Sequence, residues 1–381
     1  MRVTEKLVAA SLLALMAGCS SWNPFASKDP KAEPAKLVEL KSSIAVRDAW
    51  KYSIGKAGVY ALTPALAGSS LYVVSADGAL ARLDAASGRE TWRIKAGSDI
   101  TSGAGSDGTV VAVGAAKGAV LAFDADGKQL WKAQASSEVL TAPVVGQGVV
   151  VVRSVDNRIV GFDAKTGERK WTVQRATPAL TLRNAPGMVL GGANIYVAQP
   201  GGKLLALTAA TGVVRWEIVV SEPRGATELE RVSDIAGTPV VFEGEVCAVT
   251  YQGKAGCFDA VTGVPRWTKP ISSDVGVAVD QRFVFVADDQ GAVVAFSREG
   301  GQSAWKNEAL ARRRLSTPAS YGRSVAVGDY QGYIHFLSRE DGALIGRVST
   351  DGSPIVSAPV VAGSNLIFQT QSGTVTALAV E

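Results

Sequence analysis

VVVVRSVDNRIVGFDAKTGERKW, residues 149–171, contains the repeating unit of this chain. Residues 149–154 read as a strand, Asp156-Asn157 as a turn, 158–163 as a second strand, Thr166-Gly167 as a second turn, and a third strand runs through Trp171. Val, Ile and Phe fill the strands while Gly, Asp and Asn punctuate them. At the second turn an Asp side chain can bond the turn backbone, and Gly accepts a positive φ. The phrase from first turn to Trp recurs at 78–92, 157–171, 202–216, 253–267 and 291–305. A version one residue shorter runs from 118 to 131, and 332–346 keeps the frame but ends on Gly346 where the others have Trp.

From Trp50 onward, successive Trp residues are 38 to 51 apart. A unit of about 40 residues with several short strands is the period of a propeller blade. In five of the units the remaining strand follows a small-residue–Pro pair: Thr63-Pro64, Ala142-Pro143, Thr238-Pro239, Thr317-Pro318 and Ala358-Pro359. Pro suits the first residue of a strand because no ladder bond is lost there. Seven phrases precede a last one that starts at Gly373 and stops at Glu381, before its turn and Trp. The segment Ala49-Trp50-Lys51-Tyr52-Ser53 supplies the missing outer strand from the other end. The pattern therefore predicts an all-β, eight-bladed β-propeller of four-stranded antiparallel blades over 44–381, its last blade closed by the N-terminal strand. That closure removes two open sheet edges. The repeated Trp is expected to fill the gap between neighbouring wedge-shaped blades, not to form a ligand box.

The N-terminus reads as an address. Residues 1–18 carry Arg2 and Lys6 ahead of an apolar stretch too short to span a bilayer, which is the form of a signal peptide. The stretch ends Leu15-Met16-Ala17-Gly18-Cys19, small residues before a Cys, the pattern of a bacterial lipoprotein signal. Cys19 is the expected lipidation site, and several acyl chains on one residue anchor stably. Ser20 follows it where Asp would signal inner-membrane retention, so the expected location is the outer membrane of a Gram-negative cell, facing the periplasm. Residues 19–43, rich in Pro and mixed charge, read as a tether.

Beyond Cys19 the chain has two cysteines, Cys247 and Cys257, flanking the turn at Gln252-Gly253. In the periplasm they either pair across the hairpin or serve as two small buried hydrophobes. Their spacing, in a chain with one His, is not a zinc pattern. The formal charge is +4, and the run Arg312-Arg313-Arg314 reads as a solvated loop. Export argues against nucleic acid as a partner.

Catalytic groups are scarce. His335 is the only histidine, so no Ser-His-Asp set can be built with choice of parts. No Gly-rich loop opens a helix after a strand. Asp84, Asp124, Asp163 and Asp259 occupy equivalent turn positions spread round the ring, so they form no carboxylate pair. The Asp-x-x-Thr-Gly-x-x-x-Trp phrase resembles the repeats of quinoprotein alcohol dehydrogenases. That resemblance covers the repeats only: the adjacent cysteines over the quinone and the haem Cys-x-x-Cys-His motif are not in this sequence. The expectation is therefore a scaffold without catalytic, cofactor or metal residues. A quinone- or metal-dependent dehydrogenase-like propeller and a carbohydrate-binding propeller are the alternatives.

On a regular scaffold, function sits in irregular loops. Two connections are long, one containing RATPALTLRNAPGM (175–188) and the next SEPRGATELERVSDIAGTP (221–239). Thr227 and Glu230 in the second have capping-box spacing for a helical turn. Consecutive blades should place the two loops side by side. Together with the lipoprotein signal and GDYQGYIHFLSREDG (328–342), these stretches are similar to those of the BamB family, lipoproteins of the outer-membrane β-barrel assembly (BAM) machinery. The resemblance implies that Leu180, Leu182 and Arg183 bind the periplasmic POTRA domains of BamA, and that Asp234 contributes an acidic contact. Where a further Asp is common in that family this chain has Ala236. It also implies other BAM subunits as partners, and contact with unfolded outer-membrane protein precursors.

Overall fold

Burial that differs from strand to strand builds every blade of the computed structural model, which describes residues 33–182 and 186–380. Inner strands are covered on both faces by neighbouring blades; Val149–Arg153 is buried throughout. Outer strands are polar except where the Trp turns inward, as in Arg169–Gln174. The result is eight four-stranded sheets of antiparallel neighbours. Blades 1 to 7 span 65–95, 100–134, 144–174, 188–219, 235–270, 277–307 and 319–349, each in chain order. Blade 8 takes three strands from 360–380 and its fourth from Val46–Ser53, with Trp50 opposite Ala377. First strands of consecutive blades touch in sequence round the circle, from Ala65–Ala67 to Val360–Ala362 and back to Ala65–Ala67. Ring closure by the N-terminal strand is thus as the repeat count predicts.

Pro64, Pro143, Pro318 and Pro359 each stand immediately before the first strand of their blade. Pro239 differs. It lies inside Ile235–Phe242, where the register to the next strand breaks between Ala236 and Val240. The irregularity leaves Pro239 out of the ladder, so its missing N–H costs no bond.

The repeated phrase works as a latch. Asp163 Oδ1 accepts the backbone N–H groups of Lys165 (2.9 Å) and Thr166 (3.1 Å), and these bonds hold its carboxyl below the usual range. Gly167 follows at φ +74°, and a Cβ there would meet the Trp131 ring of the preceding blade at 2.6 Å. Trp131 Nε1 donates to Ala164 O at 2.9 Å, across the blade boundary. Trp50, Trp92, Trp171 and Trp216 do the same to the carbonyls of Ala85, Ala125, Ala209 and Ala260, and Trp267 and Trp305 to those of Arg298 and Arg339. Seven boundaries share this device, which serves packing.

The eighth boundary, between blades 7 and 8, has Gly346 at the Trp position. A Cβ on Gly346 would meet Ile44 at 3.0 Å and Ser42 Oγ at 3.3 Å, so the N-terminal segment fills the gap that a ring fills elsewhere. Ser43 N–H donates to Ile345 O at 2.8 Å. The attachment begins upstream of Ile44: Ala35 N–H donates to Ala311 O at 2.9 Å, and the packed unit runs from Ala35.

One reading of the arginine run needs correction. Arg312 and Arg314 are exposed, but Arg313 is buried. Its guanidinium pairs with Asp329 Oδ2 at 2.7 Å and donates to Gln331 Oε1 at 2.6 Å and Ala35 O at 3.0 Å. His335 Nε2 lies 2.8 Å from the same Asp329 oxygen, and Arg347 Nε donates to His335 Nδ1 at 3.3 Å. Since Nδ1 accepts, Nε2 carries the proton, which makes the imidazole neutral. Burial pushes its pKa below the ordinary value, against the pull of Asp329. Arg347 also donates to Val38 O at 3.0 Å. The lone histidine therefore belongs to a buried network that straps the N-terminal segment to blade 7.

Cys247 and Cys257 face each other in register on adjacent strands and form a fully buried disulfide. Of the two sequence alternatives, the pairing is the one adopted.

Candidate functional site

Four antiparallel strands per blade sort the loops onto two faces. First-to-second and third-to-fourth turns end up together, so the Thr-Gly latches share one face. Second-to-third turns and blade-to-blade connections share the other. Residues 175–182 and 186–187, between blades 3 and 4, and 220–234, joining blades 4 and 5, are on that second face.

The two loops are tied together by one carboxylate. Asp234 Oδ2 accepts the N–H of Leu182 at 2.6 Å, and Oδ1 accepts that of Gly201 at 2.8 Å. Asp234 is only 2% exposed. Both oxygens face inward, so it fastens the Leu180–Leu182 turn to the blade and offers no open surface. Leu180 is 40% exposed and Leu182 half-buried. Arg183 and Cys19 lie outside the described residues.

The second loop holds a single helical turn. Glu230 N–H donates to Thr227 Oγ1 at 3.3 Å, while Glu230 Oε2 accepts the N–H groups of Thr227 (3.1 Å) and Ala226 (2.7 Å). This reciprocal pattern is the capping box read from the sequence. Those backbone bonds hold the Glu230 carboxyl below its usual pKa. The turn props up Leu229, which is 71% exposed. Val155, 47% exposed at the second-to-third turn of blade 3, adds a further apolar point to this face.

Beside the first loop opens a cavity of about 420 Å³. Leu140, Val155, Leu182, Pro186 and Pro200 supply its apolar wall; Thr141, Arg153 and Asp234 supply buried polar groups. Sequence reading missed Arg153. The available signal was a charge ending an otherwise apolar strand, VVVVR.

Among the described residues, catalytic parts do not assemble on this face. His335 is fully buried in the blade 7 network, and the turn aspartates sit one per blade on the opposite face. Among the described residues, Glu245, Cys247 and Cys257 lie close enough together to suggest a metal site, but both sulfurs are spent in the disulfide.

The family model described as outer membrane protein assembly factor BamB matches residues 43–102 and 76–307. The chain is 43% identical to the outer membrane protein assembly factor BamB of Burkholderia pseudomallei, over 98% of its own length and 97% of that protein's. It is 45% identical to the protein of the same name from Bordetella pertussis, over 96% and 94% of the two lengths. The crystal structure of BamB from Moraxella catarrhalis superposes with a TM-score of 0.80 at 26% identity, covering 88% of this chain and all of that one.

Proposed function

The chain belongs to the family of the outer membrane protein assembly factor BamB, and on that premise we propose that it is a lipid-anchored scaffold without catalysis. In this reading Cys19 holds it to the outer membrane on the periplasmic side, within the BAM complex. The loops at 175–187 and 220–234 dock on the periplasmic POTRA domains of BamA. Leu180 is the apolar anchor, Leu182 shapes the turn beneath it, and Arg183 supplies charge at the contact. Asp234 acts as a positioning residue, through the two backbone bonds described above. The propeller would then orient BamA's periplasmic domains and help pass unfolded barrel precursors to it.

The observation that supports this reading most is an exposed leucine in a turn pinned from below by a buried carboxylate. Covering the exposed 40% of Leu180 contributes about 1 kcal/mol from area alone, and a turn already fixed loses little entropy on binding. The arrangement thus suits recognition of a protein surface better than sampling of solvent.

Leu180→Ala combined with Arg183→Ala should abolish co-purification with BamA from detergent-solubilised membranes, while thermal melting of the propeller stays unchanged. Loss of one central anchor alone should cost roughly 2 kcal/mol or more, about thirtyfold in affinity. Undiminished co-purification of the folded double variant would refute the assignment.

A further inference from the structure

We propose that the cavity beside the docking loop is a carboxylate subsite, with Arg153 and Thr141 in its wall, that receives one acidic side chain of the protein docked on this face. The inference rests on the docking reading above, because Thr181, Leu182 and Pro186 of the docking loop form part of the cavity's wall.

Arg153 is the central observation. It is 7% exposed and reaches the cavity from the end of strand Val149–Arg153. Its Nη1 donates to Ala198 O at 3.2 Å. Its Nε is buried without a partner, and so is Thr141 Oγ1 in the same wall. A guanidinium offers five N–H donors in a planar fork matched to a carboxylate. Leaving buried donors unused is costly. Among the described residues, no carboxylate lies within ion-pair distance of it.

Two carboxylates, Asp234 and Glu138, share the wall with the one guanidinium, so an incoming carboxylate is held by directed hydrogen bonds to Arg153 and not by the net charge of the cavity. Asp234 shares the wall and attracts Arg153, but its oxygens are already committed to Leu182 and Gly201. Glu138 is the opposing charge, and it is exposed, where water and salt screen it. Burial pulls Arg153 down to about 10, which still leaves it cationic at neutral pH. The volume is at the small end of ligand cavities, suited to one side chain rather than a chain of them. Apolar residues around a cationic point match the methylenes and terminal charge of Glu or Asp.

The test measures binding of the purified periplasmic region of BamA to the mature chain by calorimetry, with thermal melting of every variant. Leu180→Ala should weaken binding, as above. Arg153→Gln should weaken it by about thirtyfold or more, with Arg153→Lys retaining part of the affinity and Thr141→Val losing a few-fold. Weakening by Leu180→Ala together with wild-type affinity in a folded Arg153→Gln would overturn the subsite and leave the docking reading standing. Wild-type affinity in Leu180→Ala and in Leu182→Ala would remove the docking reading and this inference with it. A second measurement does not depend on how the Arg153 variants fold. The wild-type chain, labelled at arginine, is titrated by NMR with the amide of N-acetyl-glutamic acid and with its glutamine counterpart. The Arg153 guanidinium N–H resonances should shift with the carboxylate only. Equal or absent shifts would overturn the proposal.

Discussion

The boundary between blades 2 and 3 and the boundary between blades 7 and 8 solve the same packing problem with different material. At the first, Trp131 lies against Gly167, its ring centre 6.0 Å from that of Phe162, and donates to Ala164 O. At the second, Gly346 leaves the ring out, and Ile44 with the Ser42 side chain and the Ser43 backbone takes its place. Six further boundaries follow the first scheme. The difference shows that a propeller needs the wedge filled, not filled by a particular residue. Where the chain must also close on itself, the filler is its own end. That end is then held by groups unlike anything in the repeat: Arg313, Asp329, His335 and Arg347.

Three substitutions or conditions should separate the two schemes. The largest effect is expected from Trp131→Ala, which removes a buried ring and leaves Ala164 O without its donor; about 3–5 kcal/mol of stability should be lost, read by denaturant unfolding. A loss below about 1 kcal/mol would mean that the latches are dispensable. Ile44→Ala comes next. Ile44 is half-buried, so about 1–2 kcal/mol is expected. Limited proteolysis of this variant should release the N-terminal segment before any other part of the body. Cleavage that begins elsewhere would show that the strap is not the weak point.

The smallest effect is the response of the strap to pH. Burial holds the His335 pKa below its unfolded value, so the fold keeps the ring neutral. As pH falls past about 6.5 the unfolded chain takes up the proton first. The stability contributed is therefore complete above that pH and declines below it. The melting temperature should drop by a few degrees between neutral pH and pH 5, and His335→Gln should flatten that slope. An unchanged slope in the variant would assign the effect to other groups.

Much of this was legible in the chain because the blades are local. Asp163, Gly167 and Trp171 sit within a few residues of one another, and the turn they form needs no distant partner. The capping box at Thr227 and Glu230 was readable for the same reason. Arg313 was not. Its partners come from Ala35, Asp329 and Gln331, and nothing in three consecutive arginines marks the middle one as buried. The exposed neighbours on either side have φ values of +60° and +47°, a twist of the loop that turns Arg313 inward and leaves Arg312 and Arg314 outside. Asp234 presents the same difficulty. It looks like a surface acid in a polar loop, yet its oxygens are used by Leu182 and by Gly201 from the neighbouring turn. Pro239 was misplaced by a few residues, because an irregular register cannot be read from a Pro alone.

Pairing Val46–Ser53 with Thr374–Val380 sets the order of events during synthesis. The strand that emerges first must wait for the one that emerges last. Until then the eighth sheet offers a bare edge to whatever is nearby, and pairings so distant along a chain form slowly. A copy that stops before Thr374 would leave Val46–Ser53 without its partner strand. Only a chain that carries both Val46–Ser53 and Thr374–Val380 can close the ring.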